Sequence, residues 1–220
     1  MALDLQQQEE LEEVKRIWHG WLKWIVLFLF VVAGLYLGKT AWDNYQKNKD
    51  EEATDLLVQF QNLIAQNQRA EAMSILKTLQ EDYSNTIPAT IATSAIGTIS
   101  FYSNQFEDAS RHFQWIYDHQ QDKLLKSMTI TDLVKIKMQQ KKFDEALALL
   151  EEKTEAGLQF LFEDLKGDIY MAKGEEESAK RAYDKAISLL PEPNEVIMKE
   201  DIAQVRAQIE AKKIIQIPKI

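Results

Sequence analysis

Residues 160–191, FLFEDLKGDIYMAKGEEESAKRAYDKAISLLP, decide the fold of this chain. Counting Phe160 as the first position puts Gly167 at 8, Tyr170 at 11, Gly174 at 15, Ala179 at 20, Tyr183 at 24, Ala186 at 27 and Pro191 at 32. Each type has a mechanical reason. Small residues at 167 and 179 let two helices approach closely, and Tyr170 and Tyr183 fill the space that opens beside that contact. Gly174 permits the left-handed backbone that ends the first helix. Pro191 lies beyond the second helix and blocks its continuation. The acids Glu175, Glu176 and Glu177 that follow Gly174 suit a helix N-terminus, where the dipole favours negative charge.

The same pattern recurs upstream. Its central alanine reappears as Ala72, Ala109, Ala146 and Ala179, at intervals of 37, 37 and 33 positions. A unit of about 34 residues made of two antiparallel helices is the tetratricopeptide repeat. The second unit keeps Gly97, Phe113 and Ile116 at the equivalent places. The third keeps Ala146 and Leu150 but has Val134 in the glycine position and Lys153 where a small residue is usual, and the first keeps Leu76 and Leu79 with Phe60 in the glycine position. Degenerate terminal units are expected, because an end unit packs on one side only. Pro191 and Pro193 close the array. A stripe of Ile197, Ile202, Val205 and Ile209 then predicts an amphipathic helix that covers its exposed end. The tail IIQIPKI is expected to pack against that helix or to meet a partner.

Upstream of the repeats stands WLKWIVLFLFVVAGLYLG, residues 21–38, uncharged from Trp24 to Gly38. As a helix it spans about 27 Å at ~1.5 Å per residue, close to the hydrocarbon thickness of a bilayer. Trp18, Trp21 and Trp24 crowd one edge and Tyr36, Trp42 and Tyr45 the other, as interfacial rings do. A buried core helix is the poorer reading. So is a cleaved signal peptide, because Glu9, Glu10, Glu12 and Glu13 fill the region that should be basic and no small-x-small site follows. Lys15, Arg16 and Lys23 on one side balance Lys39, Lys47 and Lys49 on the other, so charge alone leaves the orientation open. Gly34 and Gly38 form a GxxxG pair of the kind that packs membrane helices together.

The chain is therefore expected to be all-α. The expected order is an N-terminal arm (1–20), a transmembrane helix (21–38), a juxtamembrane helical tether (39–52), four tetratricopeptide-like repeats (53–193) and a capping helix with tail (194–220). Only seven glycines and four prolines in the chain agree with helices joined by short loops. A net charge of −9 argues against nucleic acid as a partner. The absence of cysteine removes disulfides and thiolate metal sites without identifying a compartment.

Chemistry finds little purchase. His112 and His119 share one helix face with no third ligand, His19 sits at the membrane edge, and there is no phosphate loop or nucleophile elbow. No cofactor or catalytic residue is expected. What remains is a protein-binding face made by the first helix of each repeat. By repeat register it comprises Ile91, Ser94, Thr98, Phe101 and Tyr102 in the second unit, Lys135, Met138 and Gln139 in the third, and Asp164, Asp168 and Met171 in the fourth. Apolar, thioether and polar groups mixed in this way suit an extended peptide or an adaptable protein partner.

Several local blocks carry a more specific likeness: Glu13-Val14-Lys15-Arg16 with Trp18 before the span, and Gly38, Trp42 and Tyr45 after it. Trp115-Ile116-Tyr117-Asp118-His119, Leu165-Lys166-Gly167-Asp168 and the Ala179–Tyr183 pair add to it. With these the chain resembles the YfgM-type ancillary subunits of the bacterial SecYEG translocon over nearly its whole length. The resemblance implies a Gram-negative inner-membrane protein with a cytoplasmic N-terminus and periplasmic repeats. It also implies association with SecYEG and with the parvulin-type membrane-anchored chaperone PpiD, in aid of emerging secreted or outer-membrane polypeptides. The alternative from another class is a regulatory adaptor that sequesters a signalling protein at the membrane, which needs either the opposite topology or a role for the N-terminal arm.

Overall fold

A computed structural model describes residues 23–152, 154–192 and 199–214. Among them the chain is helical, with no strand. The expected N-terminal arm, Trp18, Trp21, His19, Lys153, Pro193, Ile197 and residues 215–220 lie outside the described residues. Two compact units divide between Glu52 and Ala53.

In the first unit lies most of α1, Lys23–Ala65, which is long and apolar enough to cross a membrane. Its apolar rings and chains are uncovered: Phe30 is 73 % exposed, Leu35 70 % and Tyr36 71 %. A soluble core helix would bury that surface, worth ~25 cal/mol per Å². Built Cβ atoms on Gly34 and Gly38 meet nothing within 4 Å, so the GxxxG face has no neighbour among the described residues. No helix boundary marks the juxtamembrane tether; α1 continues through it to Ala65.

The second unit begins with the last turns of α1, whose Ala53, Leu57 and Phe60 are buried. These pair with α2 (Arg69–Asp82) as the first repeat. The second repeat is α3 (Ile87–Tyr102) with α4 (Phe106–His119), and the third is α5 (Lys123–Gln139) with α6 (Phe143–Leu149). A single 3-10 turn, Ala156–Leu158, leads into the fourth, α7 (Gln159–Lys173) with α8 (Glu176–Ser188). Helix α9 (Lys199–Ile214) then packs on that repeat through Ile209 and Val205.

The repeat alanines Ala72, Ala109, Ala146 and Ala179 are all fully buried at 0 % exposure. Beside each sits a pair whose sizes complement one another. A Cβ on Gly97 would come within 2.8 Å of the Phe113 ring, and one on Gly167 within 2.3 Å of Tyr183. In the third repeat Val134 shares a core with the smaller Leu150, and in the first Phe60 shares one with Leu76. Close packing tolerates no spare volume, so a bulkier residue in the glycine position requires an aliphatic one opposite.

One turn geometry is used four times. Asn67, Asn104, Lys141 and Gly174 all adopt positive φ, at 59, 57, 57 and 80°. The next residues, Gln68, Gln105, Lys142 and Glu175, donate their amide N–H five residues back, to Leu63, Ser100, Lys137 and Tyr170, at 2.8–2.9 Å. This is the Schellman arrangement, which satisfies carbonyls that a helix end leaves orphaned. The first helices of repeats two and three begin on side-chain caps instead, Thr86 accepting from Ala89 N–H and Asp122 from Leu125 N–H.

Candidate protein-binding face

Repeats two and three present the same face in the same register. On α3, Ile87 and Ile91 are 52 % and 44 % exposed, and 37 residues on, Leu124 and Met128 of α5 are 46 % and 50 % exposed. Exposed apolar side chains repeated at one structural position cannot be core. Ser94 and Thr98 continue the α3 face, half-buried and exposed respectively, to Tyr102, which is 80 % exposed.

At the far end of this face α3, α4 and α5 enclose a cavity of about 110 Å³, lined by Thr98, Phe101, Tyr102, Phe113, Asp132, Lys135 and Ile136. Phe101 stands edge-on to both Tyr102 and Phe106, with ring centroids 5.6 and 5.7 Å apart, which holds its ring half-buried at the cavity wall. Lys135 Nζ donates to Asp132 at 3.2 Å, so the charge at the rim is balanced within its own helix. Four residues expected from repeat register thus come together here: Thr98, Phe101, Tyr102 and Lys135. Gln139 is exposed one turn further on, while Met138 is half-buried against the Val134 core.

The fourth repeat differs. Asp164 and Asp168 face α9, and Lys212 Nζ donates to Asp164 Oδ1 at 2.9 Å and Oδ2 at 2.8 Å, and to Asp168 Oδ2 at 2.9 Å. The Tyr183 hydroxyl, whose ring covers Gly167, donates to Asp168 Oδ1 at 2.9 Å. Burial pushes the Asp164 carboxyl above the ordinary aspartate value, and the bond from Lys212 only partly offsets it. Burial likewise pulls on Lys212, but the bonds to Asp164 and Asp168 outweigh it and hold the ammonium above the ordinary lysine range. Burial and the adjacent Asp168 raise the Tyr183 hydroxyl as well. Lys213 pairs with Asp184 of α8. Met171 is half-buried against the Tyr183 core.

Repeat register assigns Asp164 and Asp168 of α7 to the face, and the structure has both carboxylates bonded to Lys212 of α9. The register passes over Ile87, Leu124 and Met128, although a 37-residue offset from Ile91 points straight at Met128.

Elsewhere the two described histidines, His112 and His119, are engaged by neighbouring groups. His119 stacks on Trp115 at 4.5 Å with its Nδ1 2.8 Å from the Trp115 carbonyl, and burial lowers the pKa of His112. Among the described residues no three His, Asp or Glu side chains are placed to hold a metal. A larger cavity of about 550 Å³ lies against α4, between Glu107, Arg111, Asp118, Lys137 and Lys142. Its mixed charges form an open polar surface with no convergent catalytic group.

The tetratricopeptide repeat-like domain family matches residues 15–207. The Neisseria gonorrhoeae protein named "Ancillary SecYEG translocon subunit" is 32 % identical, over 87 % of this chain and 92 % of its own length. The chain belongs to the ancillary SecYEG translocon subunit family. Family members under that name from Aggregatibacter actinomycetemcomitans and Haemophilus influenzae are 24 % and 23 % identical, covering 94 % and 84 % of this chain and 98 % and 91 % of their own. The family-model match, residues 15–207, takes in both the apolar helix and the repeats of this chain.

Proposed function

We propose that this protein is a membrane-anchored, protein-binding accessory of a SecYEG translocon in a Gram-negative inner membrane. Residues 1–20 lie in the cytoplasm, the apolar part of α1 spans the lipid, and the repeats stand in the periplasm. There they link the translocon to a PpiD-type chaperone and receive secreted or outer-membrane polypeptides as these emerge. The protein turns over no substrate; it holds and positions. The observation that carries this reading is the exposed apolar face in common register on α3 and α5, beside a cavity of about 110 Å³, whose mixed apolar and polar chemistry suits a peptide ligand. Its place at a translocon is supported by the relatives that bear that name.

Site-specific photo-crosslinking in cells from Tyr102, Met128 or Lys135 tests it. Adducts with SecY, a PpiD-type chaperone or a nascent secreted chain are expected. Adducts with cytoplasmic signalling proteins instead would favour the sequestering-adaptor reading and reverse the topology. Because the chain has no native cysteine, alkylation of single cysteines placed in the arm and the repeats reads the topology independently.

A further inference from the structure

The cavity at the end of the face has a filled counterpart one repeat further on. Between the second and third repeats its walls include Phe101 of α3, Phe113 of α4, and Asp132 and Ile136 of α5. Between the third and fourth repeats the residues in the same register are Met138 of α5, Leu150 after α6, and Leu165 and Ile169 of α7. These four share one apolar cluster, in which Leu165 is 8 % exposed. Between the first and second repeats the place of Leu165 is taken by Ala95, in a cluster with Ile64, Leu76 and Ile99. At both of these junctions the sixth position of the incoming repeat adds an aliphatic group to the core of the repeat before it. At the middle junction that position is Asp132, whose carboxylate turns to Lys135 and accepts from its Nζ at 3.2 Å. An apolar group is missing there, and the space stays open.

Size and lining define what completes it. Phe113 and Ile136 are buried and form a fixed apolar wall, and Phe101 is held between Tyr102 and Phe106. An apolar cavity of about 150 Å³ holds a benzene ring. At about 110 Å³ this one is smaller, so an isobutyl group fits and an indole does not. Asp132 and Lys135 neutralise one another, so a charged group entering beside them would lose its hydration without gaining a partner. A lipid acyl chain is far longer than the space. A polypeptide instead leaves its backbone at the mouth, beside the hydroxyls of Thr98 and Tyr102, which are exposed and able both to donate and to accept.

We infer that this cavity is a docking pocket for one branched aliphatic side chain, leucine foremost, of an extended polypeptide. The incoming side chain completes the middle junction as Leu165 completes the next. That the pocket serves binding rests on the proposed function; the choice of side chain rests on the cavity and on its filled counterpart. Such a pocket selects by shape at a single position and leaves the rest of the bound sequence free to vary.

The full chain in lipid nanodiscs, with isotope-labelled isoleucine methyls, is titrated with acetylated peptides Ser-Ser-Thr-Xaa-Thr-Ser-Ser and followed by NMR. With leucine at Xaa the Ile136 methyl is expected to shift saturably, and with aspartate or tryptophan the affinity should be about tenfold lower. Equal affinity for all three, a response at Ile91 without one at Ile136, or no saturable shift overturns the inference. Asp132→Leu fills the space from within and is expected to weaken the leucine peptide about tenfold. Asp132→Asn removes the charge without adding bulk and should bind as the parent does. Parent-like binding by Asp132→Leu, or an equal loss in both variants, also overturns it. Neither arm contains a translocon or a chaperone, so failure here is distinct from failure of the crosslinking in cells.

Discussion

The second and fourth repeats are built on one plan and put to different uses. Both set a glycine on the first helix under an aromatic ring from the second, and both turn through positive φ between the two. On α3 the resulting face is open, with Ile91 and Tyr102 exposed. On α7 the equivalent face carries Asp164 and Asp168 bonded to Lys212 of α9. The packing code is thus independent of the surface code. One set of positions closes each helix pair, and another set, one turn away, decides whether that pair meets a partner or the next helix of its own chain.

The largest effect is expected where the two repeats agree. Gly167→Val should cost about 3 kcal/mol and Gly97→Val about 2 kcal/mol, because overpacking forces a ring to move. The fourth repeat suffers more because the intruding Cβ is closer, 2.3 Å against 2.8 Å. Its ring is also tied by the hydroxyl bond from Tyr183 to Asp168, whereas Phe113 has no such tether. Urea unfolding followed by circular dichroism measures both. Equal costs would mean that the tether plays no part.

That pairing could be read in the sequence because the same glycine-to-aromatic spacing occurs in both units, Gly97 with Phe113 and Gly167 with Tyr183. A missing side chain on one helix and a ring on the next are what a close crossing requires. The burial of Ala72, Ala109, Ala146 and Ala179 follows from the same arithmetic. Three turn residues were harder to see. Asparagine tolerates left-handed backbone, so Asn67 and Asn104 carry a faint signal, but lysine has no such preference and Lys141 carries none. The Lys212 clasp was invisible for another reason: its partners lie 48 and 44 residues away, on a different helix, outside any local pattern. Asp164 and Asp168 look like groove residues until the helix that covers them is placed.

Breaking the clasp is the next largest effect. Lys212→Met should cost about 1.5 kcal/mol, between the worth of an exposed ion pair and that of a buried charged hydrogen bond. Lys213→Met should cost well under half of that, since Asp184 on the other side is 61 % exposed. The clasp also sets a pH dependence with a definite sign. The folded Lys212 pKa is raised above 10.5, so its stabilisation is fully present below 10.5 and is lost as pH rises through the folded value. The melting-temperature gap between the parent chain and Lys212→Met should therefore hold at pH 8 and narrow toward pH 11. A gap that stays constant would leave the ammonium no role in it.

The turns sharpen the same comparison on a smaller scale. The fourth repeat turns on Gly174 and the third on Lys141. A side chain in left-handed backbone costs about 1 kcal/mol, so Lys141→Gly should stabilise the chain by up to that amount. Asn104→Gly should do less, because asparagine already bears the conformation well. Thermal melts of the two variants rank them, and a Lys141→Gly chain less stable than the parent would show that the lysine side chain contributes more at that turn than its backbone costs.

The smallest effect on stability belongs to the open face itself, and its smallness is what makes it informative. Ile91 and Met128 are 44 % and 50 % exposed, so the double change Ile91→Lys with Met128→Lys should shift stability by no more than about 0.5 kcal/mol. Partner adducts from a crosslinker at Tyr102 should nevertheless fall at least fivefold, since two ammonium groups would have to be desolvated against an apolar ligand. Because folding is unchanged, the loss cannot be assigned to a damaged repeat. The reverse contrast holds at the closed end, where Lys212→Met loosens α9 at a measurable cost in stability and should leave adducts at Tyr102 undiminished. If instead the two lysines on the open face leave the adducts intact, the exposed register shared by α3 and α5 is surface chemistry without a partner, and binding must be sought on another face of the repeats.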